Sequence, residues 1–294
     1  MVRVFLTNGL AVMVVSAFFF ALSDVVIKFI SPMVVVTGIA FFRFLVGAAI
    51  LVPLMVPRGI SLKGDRPWIL VLRGFSGTLT FVFLVKSITL IPLASAMVLF
   101  YTFPVFAAFF SFLVFREPLG GWELILIVVG LIGIYVLIDP GSSLSNGGDI
   151  YGLLAGCCAG FTVVLIRKLR ETNGPLIIYF YYCLVGGGVC LPLFVREFRM
   201  PSFPQLLLLV TLGLTFLVAQ LLMNQGFKFC KASEGSVILT LEAVFAGIAG
   251  VVIFKEALPP GLLAGAFLII VSGVGLNLVN RRSRRSGSVV SEER

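Results

Sequence analysis

Three ionisable side chains stand inside runs of sequence that are otherwise apolar: Arg43 in AFFRFLVGA, Glu242 in ILTLEAVFAG and Asp24 in FFALSDVVIKFI. Charges in such surroundings are costly and default to functional roles. The planar fork of Arg43 suits a carboxylate or another acidic group of a bound molecule. Glu242 suits an amine or a proton in transit, and Asp24 is a second candidate proton carrier in an outer vestibule. Each also has a plainer reading. Arg43 and Glu242 could form a buried ion pair that locks two helices, since either charge alone is expensive to leave bare. Asp24 could pair with Lys28, four residues on, with the lysine reaching to the membrane surface.

Uncharged groups extend this set. Gln220 and Asn224 are four residues apart, so they share one helix face. They either bind substrate or hydrogen-bond a neighbouring helix. Tyr101, beside Phe100 and Phe103, is placed to floor an apolar cavity. Tyr179, Tyr181 and Tyr182 open an apolar segment, the usual place of an interfacial aromatic belt. Gly152, Gly156 and Gly160 recur every fourth residue, as do Gly261 and Gly265, and such faces let a second helix approach closely.

Other chemistry is missing from the pattern. The chain has no histidine, no HExxH and no Walker sequence, so neither zinc hydrolysis nor direct use of ATP is indicated. The five cysteines, Cys157, Cys158, Cys183, Cys190 and Cys230, make no CxxC and read as small apolar packing residues. No enzyme activity, cofactor or metal site is expected.

The elements that must position these groups are membrane spans. Of 294 residues, 60% are hydrophobic and 12% charged, against roughly a quarter charged in a soluble domain. A span needs about 20 apolar residues, and ten segments qualify: 8–30, 34–56, 68–88, 92–115, 120–138, 149–169, 176–195, 205–229, 233–254 and 258–279. The first has no small-residue cleavage site after it and reads as a retained span, not a signal peptide. Breaks such as PRGISLKGDRP and DPGSSLSNGGD carry loop chemistry, Trp68 and Trp122 flank breaks, and the tail 280–294 is polar and basic and expected to be disordered.

The net charge of +9 is explained by topology, with no nucleic-acid partner. With the N-terminus in the cytoplasm, fifteen Lys and Arg fall on the inner side and five on the outer, so both termini are expected in the cytoplasm of a plasma-membrane protein. Arg43 and Arg73 lie inside spans. Arg43 and Glu242 are each about nine residues into their spans, roughly 13 Å at ~1.5 Å per residue. In a core of ~30 Å both are then near the midplane.

Two segments are near-copies. VLFYTFPVFAAFFSFLVFREPL (98–119) and VILTLEAVFAGIAGVVIFKEAL (237–258) agree at seven of 22 positions without a gap, and both close on a charge pair, Arg116-Glu117 and Lys255-Glu256. The first spans also align, at a slightly larger offset that matches Gly9-Leu10 with Gly152-Leu153 and Phe18 with Phe161. An offset of five spans is odd, so the copies enter the membrane in opposite senses, the architecture of many secondary transporters. The expected fold is an all-α integral membrane protein of ten helices in two inverted five-helix repeats, 8–138 and 149–279. The terminal charge pairs then mark opposite faces as helix-end anchors.

The stretch SITLIPLASAMVLFYTFPVFAAFFSFLVFREPL, with Pro-Val near the middle and Glu at the end, resembles the EamA family of the drug/metabolite transporter superfamily. The likeness covers nearly the whole chain as two units. In the second, Ala243 replaces the proline after Glu242. The resemblance implies a central cavity lined by spans 1–4 and 6–9, small metabolites as substrates, and a gating kink at Pro104, where a static kink is the alternative. The expected function is secondary transport of a small amphipathic or zwitterionic metabolite, with possible proton coupling. A carrier for a nucleoside-like molecule such as S-adenosylmethionine, and a non-transporting membrane scaffold, are the alternatives.

Overall fold

The computed structural model describes residues 9–60, 62–115, 121–138, 147–169, 171–197, 200–229, 239, 241–256 and most of 261–275. The side chains of Pro104 and Asn224, the pair Arg116-Glu117, Cys230 and the tail 280–294 lie outside the described residues.

Helices follow from composition, because a backbone in lipid must satisfy its own hydrogen bonds. They are α1 (Gly9–Ile30), α2 (Val36–Met55), α3 (Pro67–Leu90), α4 (Leu93–Phe100), α5 (Phe103–Phe115), α6 (Gly121–Ile138), α7 (Gly148–Leu169), α8 (Pro175–Arg196), α9 (Phe203–Phe229), α10 (Leu241–Phe254) and α11 (Leu263–Ser272). No strand occurs among the described residues. Among the described residues seven candidate membrane spans are long and apolar enough to cross, with α10 and α11 as shorter apolar helices.

The fourth expected span, 92–115, is broken into α4 and α5 at Tyr101-Thr102. The break precedes Pro104 and does not sit on it. A proline has no N–H to bond the carbonyl four residues earlier, here Phe100, and its ring crowds that carbonyl. The helix therefore ends at Phe100 and restarts, and Pro104 falls in the first turn of α5, where a proline is tolerated. Helix α7 makes room for the irregular backbone. A Cβ on Gly156 would touch Thr102 Oγ1 and lie 2.9 Å from the Leu99 carbonyl and 3.0 Å from that of Phe100. The glycine stripe of α7 thus serves a contact within the chain.

Helix α1 packs on α9 and α10, α3 on α7 and α8, α2 on α8 and α9, α7 on α4 and α5, and α4 on α10. Hydroxyl groups join these pairs in the dry interior. Ser23 donates to Thr215 at 2.9 Å across α1 and α9, and Ser76 meets Thr162 at 2.8 Å across α3 and α7. Ser272 of α11 donates to the Leu126 carbonyl of α6 at 2.6 Å. Bulky apolar side chains such as Phe18, Leu45, Phe109, Leu184 and Val252 remain exposed on the outside, a surface suited to lipid.

The end of α10 is more than an anchor. Lys255 adopts a left-handed φ of 53°, which ends the helix, and the Glu256 N–H bonds back to the Gly250 carbonyl at 3.1 Å. That turn aims Glu256 inward. It pairs with Lys28 at 2.9 Å and accepts the Leu93 N–H at the start of α4 at 2.8 Å. Lys28 also donates to the Ile88 and Ile91 carbonyls. The expected Asp24–Lys28 pair does not form, because Glu256 and these two carbonyls hold the lysine.

Candidate functional site

Two polar clusters are buried in the bundle, and the sequence-predicted groups divide between them. The first is acidic. Glu242, 6% exposed, opens α10, and Asp24, 4% exposed, lies in α1. Their carboxyls are in hydrogen-bonding contact. Tyr101, in the break between α4 and α5, donates its hydroxyl to Glu242 at 2.7 Å and also meets the Leu239 carbonyl at 2.5 Å. Three separate elements therefore converge because α4 stops where it does. Asp24 Oδ2 is left without a partner, and Asp24 is inside the bundle instead of in an outer vestibule.

The second cluster is cationic. Arg43 is 1% exposed, and its guanidinium carbon lies 3.5 Å from the centroid of Phe216, 4.1 Å from Phe81, 4.6 Å from Phe44 and 4.9 Å from Tyr182. Its Nη1 donates to the Tyr182 hydroxyl at 3.1 Å, and that hydroxyl donates to the Gly77 carbonyl at 3.1 Å. Arg73, 4% exposed, stacks on the same Tyr182 ring at 4.0 Å. Gly77 permits this approach, because a Cβ there would lie 2.9 Å from the Tyr182 ring and 3.2 Å from Arg73 Nη1. The alternative reading of an Arg43–Glu242 ion pair is not met: Arg43 is held by rings and a phenol, and Glu242 by a phenol and a carboxyl. Tyr179 and Tyr182 are 2% and 4% exposed, so neither belongs to a surface belt.

Magnitudes separate the two arginines. Burying an ion costs several kcal/mol even after relaxation, and a cation over a ring recovers about 0.5–2 kcal/mol. Four rings and a hydrogen bond offset much of that cost for Arg43. Arg73 has one ring. Arg43 Nε and Nη2, and Arg73 Nε and Nη1, are buried without a hydrogen-bond partner.

Aromatic side chains connect the clusters. Phe216, which Arg43 covers, packs edge-on against Phe20 at 5.2 Å and Phe81 at 5.8 Å. Phe20 lies one helical turn before Asp24 on α1, on the same face. Gln220, 8% exposed, follows Phe216 by one turn of α9. The described cysteines are free thiols, and no group of three metal-ligating side chains occurs among the described residues.

Sequence reasoning missed the roles of Arg73, Tyr182 and the three phenylalanines around Arg43. Arg73 was visible as a charge inside a span. The phenylalanines carried no signal, since the chain has 29 of them.

Comparison with known proteins agrees with this architecture. The profile of the EamA-like transporter family matches residues 7–139 and again 146–278. The S-adenosylmethionine uptake transporter of Rickettsia prowazekii is 26% identical over 95% of this chain and 95% of its own length. The pseudopaline exporter of Pseudomonas aeruginosa is 29% identical over 94% of this chain and 98% of its own. Human solute carrier family 35 member G1 is 25% identical over 91% and 78%. A solved crystal structure shares the fold at a TM-score of 0.57, with 20% identity over 91% of this chain and 98% of that one. With two family units spanning the chain and charges gathered inside a lipid-facing bundle, the protein belongs to the EamA-like transporter family and is a multi-pass membrane transporter.

Proposed function

We propose that the protein is a secondary transporter of a small amphipathic or zwitterionic metabolite, working by alternating access between two inverted five-span units, 8–138 and 149–279. The observation that carries this reading is the pairing of residues at one constant offset. Adding 139 to Ser23 gives Thr162, and adding 139 to Ser76 gives Thr215, so the Ser23–Thr215 and Ser76–Thr162 contacts exchange under that single shift. The two family matches begin 139 residues apart as well. This offset also corrects the alignment of the first spans by one helical turn, a displacement that preserves the apolar face and so imitates a match.

Arg43 and Tyr182 are themselves 139 apart, and they touch. Equivalent positions of two related units meet only near the axis that relates them, so this contact supports a site between the halves. The Tyr101–Glu242 contact, 141 apart, supports the same placement for the carboxyl cluster. Arg43 then takes an acidic group of the substrate. Glu242 takes an amine or, with Asp24 beside it, a proton, since burial and a neighbouring carboxyl both favour the neutral acid. Gln220 extends the wall of the site along α9, Asn224 is a further candidate one turn on in the sequence, and the break beside Pro104 is the place where the fourth span bends. The positive-inside bias supports cytoplasmic termini in the plasma membrane.

A nucleoside-like substrate is the second reading, favoured by the likeness to a carrier named for S-adenosylmethionine uptake. The test is flux into liposomes across a panel of amino acids, amino-acid conjugates and S-adenosylmethionine, with and without a pH gradient. Flux that responds to the gradient in the wild type and loses that response in Glu242→Gln and Asp24→Asn is expected. Full, gradient-driven flux in Glu242→Gln would sink the carboxyl cluster as the coupling site.

A further inference from the structure

The cationic cluster holds more positive charge than one acidic group answers. Arg43 and Arg73 both lie over Tyr182, at 4.9 and 4.0 Å from its ring centroid, so their guanidiniums can be no further apart than these two distances together allow. An arginine side chain stays protonated in proteins. Each retains two buried nitrogens without a hydrogen-bond partner, and no carboxylate of the described residues forms an ion pair with either. The carboxyls that could have answered them, Asp24 and Glu242, are engaged with each other and with Tyr101.

We infer that Arg43 and Arg73 together form a subsite for a substrate with two acidic groups, so that the preferred cargo is a dicarboxylate that also bears an amine. The Nε–Nη2 edge of Arg43 presents two parallel N–H donors to one carboxylate. Tyr182 sets the spacing, since its ring carries both cations and its hydroxyl is fixed between Arg43 Nη1 and the Gly77 carbonyl. A carboxylate on Arg43 Nε and Nη2 leaves the existing bond from Nη1 to Tyr182 intact. The open nitrogens of Arg73, Nε and Nη1, lie on different edges of its guanidinium, so the second carboxylate takes a single charge-assisted hydrogen bond from one of them. The inference rests on the reading of Arg43 as a substrate group and adds Arg73 and the second acid to it.

The experiment uses the full chain in detergent and follows its thermal unfolding against graded glutamate, succinate, alanine, acetate and inorganic phosphate. Glutamate and succinate are expected to raise Tm at concentrations at least about tenfold below those needed for alanine and acetate. In Arg73→Gln the dicarboxylates should fall to the level of the monocarboxylates. Equal potency of mono- and dicarboxylates in the wild type, or a response to phosphate alone, overturns the inference. Arg43→Gln separates the two readings. If it abolishes monocarboxylate binding while Arg73→Gln still discriminates as the wild type does, Arg43 binds substrate and the second subsite is wrong. If Arg43→Gln changes nothing, the underlying site is wrong. Should Arg73→Gln fail to fold, Arg73→Met keeps the length of the side chain without its charge, and Tyr182→Phe keeps the ring without the hydroxyl. Undiminished dicarboxylate preference in both counts against the inference.

Discussion

The carboxyl cluster and the cation cluster are built on opposite logic. Asp24, Glu242 and Tyr101 answer one another except at Asp24 Oδ2: the phenol donates to Glu242, and the two acids lie against each other. Arg43 and Arg73 are surrounded instead by rings that attract a cation without neutralising it. The first cluster is nearly closed on itself, whereas the second has four unanswered nitrogens. On the proposed function the difference corresponds to two tasks. A group that exchanges a proton can rest satisfied, since a proton leaves no vacancy in the packing. A group that binds an anion must keep donors open for it.

The most decisive test exchanges the lesions. Glu242→Gln should abolish pH-driven accumulation while leaving anion binding, read by thermal shift, at the wild-type level. Arg43→Gln should lower anion affinity at least about tenfold, while the flux that remains at saturating substrate still responds to the pH gradient. If both variants lose both properties equally, the clusters form one site and the comparison collapses.

A smaller effect is expected where the backbone sets the carboxyl cluster. Gly156→Val would drive a side chain into the Leu99 and Phe100 carbonyls, which as backbone cannot swing aside. Overpacking of this kind costs about 1–3 kcal/mol. It should lower Tm and, by shifting Tyr101, disturb proton coupling before anion binding. The cation cluster has no contact with Gly156 to transmit the change.

The smallest effect is expected outside both clusters, in the loop before α8. There Asn173 bonds the Asp65 backbone in both directions at 2.9 and 3.0 Å. Glu171 accepts from Lys168 and Arg66, and the Lys168 hydrogen bond is the chief cause of its lowered pKa. A depressed carboxylate stabilises above its unfolded pKa, and the contribution disappears as pH falls through the folded value. Glu171→Gln should therefore lower Tm marginally near pH 7, and the gap to wild type should close on acidification. The pairs are exposed, so solvent screening keeps the shift small. A gap that widens at low pH would contradict the sign.

Much of the fold was legible because its rules are local. Apolar runs of about 20 residues demand helices, and the near-copy at 98–119 and 237–258 announced the repeat. The site was legible in kind but not in pairing. Arg43, Glu242, Asp24 and Tyr101 stood out, yet equal depth in the membrane says nothing about which face of a helix turns toward which neighbour. Hence the alternative Arg43–Glu242 and Asp24–Lys28 pairings gave way to contacts with Tyr182, Tyr101 and Glu256.

What the sequence by itself determined is a membrane protein of repeated apolar helices with a few buried charges, because hydrophobicity, proline chemistry and charge cost act residue by residue. The tertiary structure alone decided that Phe216 and Phe81 cage a guanidinium, that Tyr182 joins two arginines, and that the acids face each other. Those relations depend on helix rotation and on the break at Tyr101-Thr102, which are set by packing between segments distant in the chain.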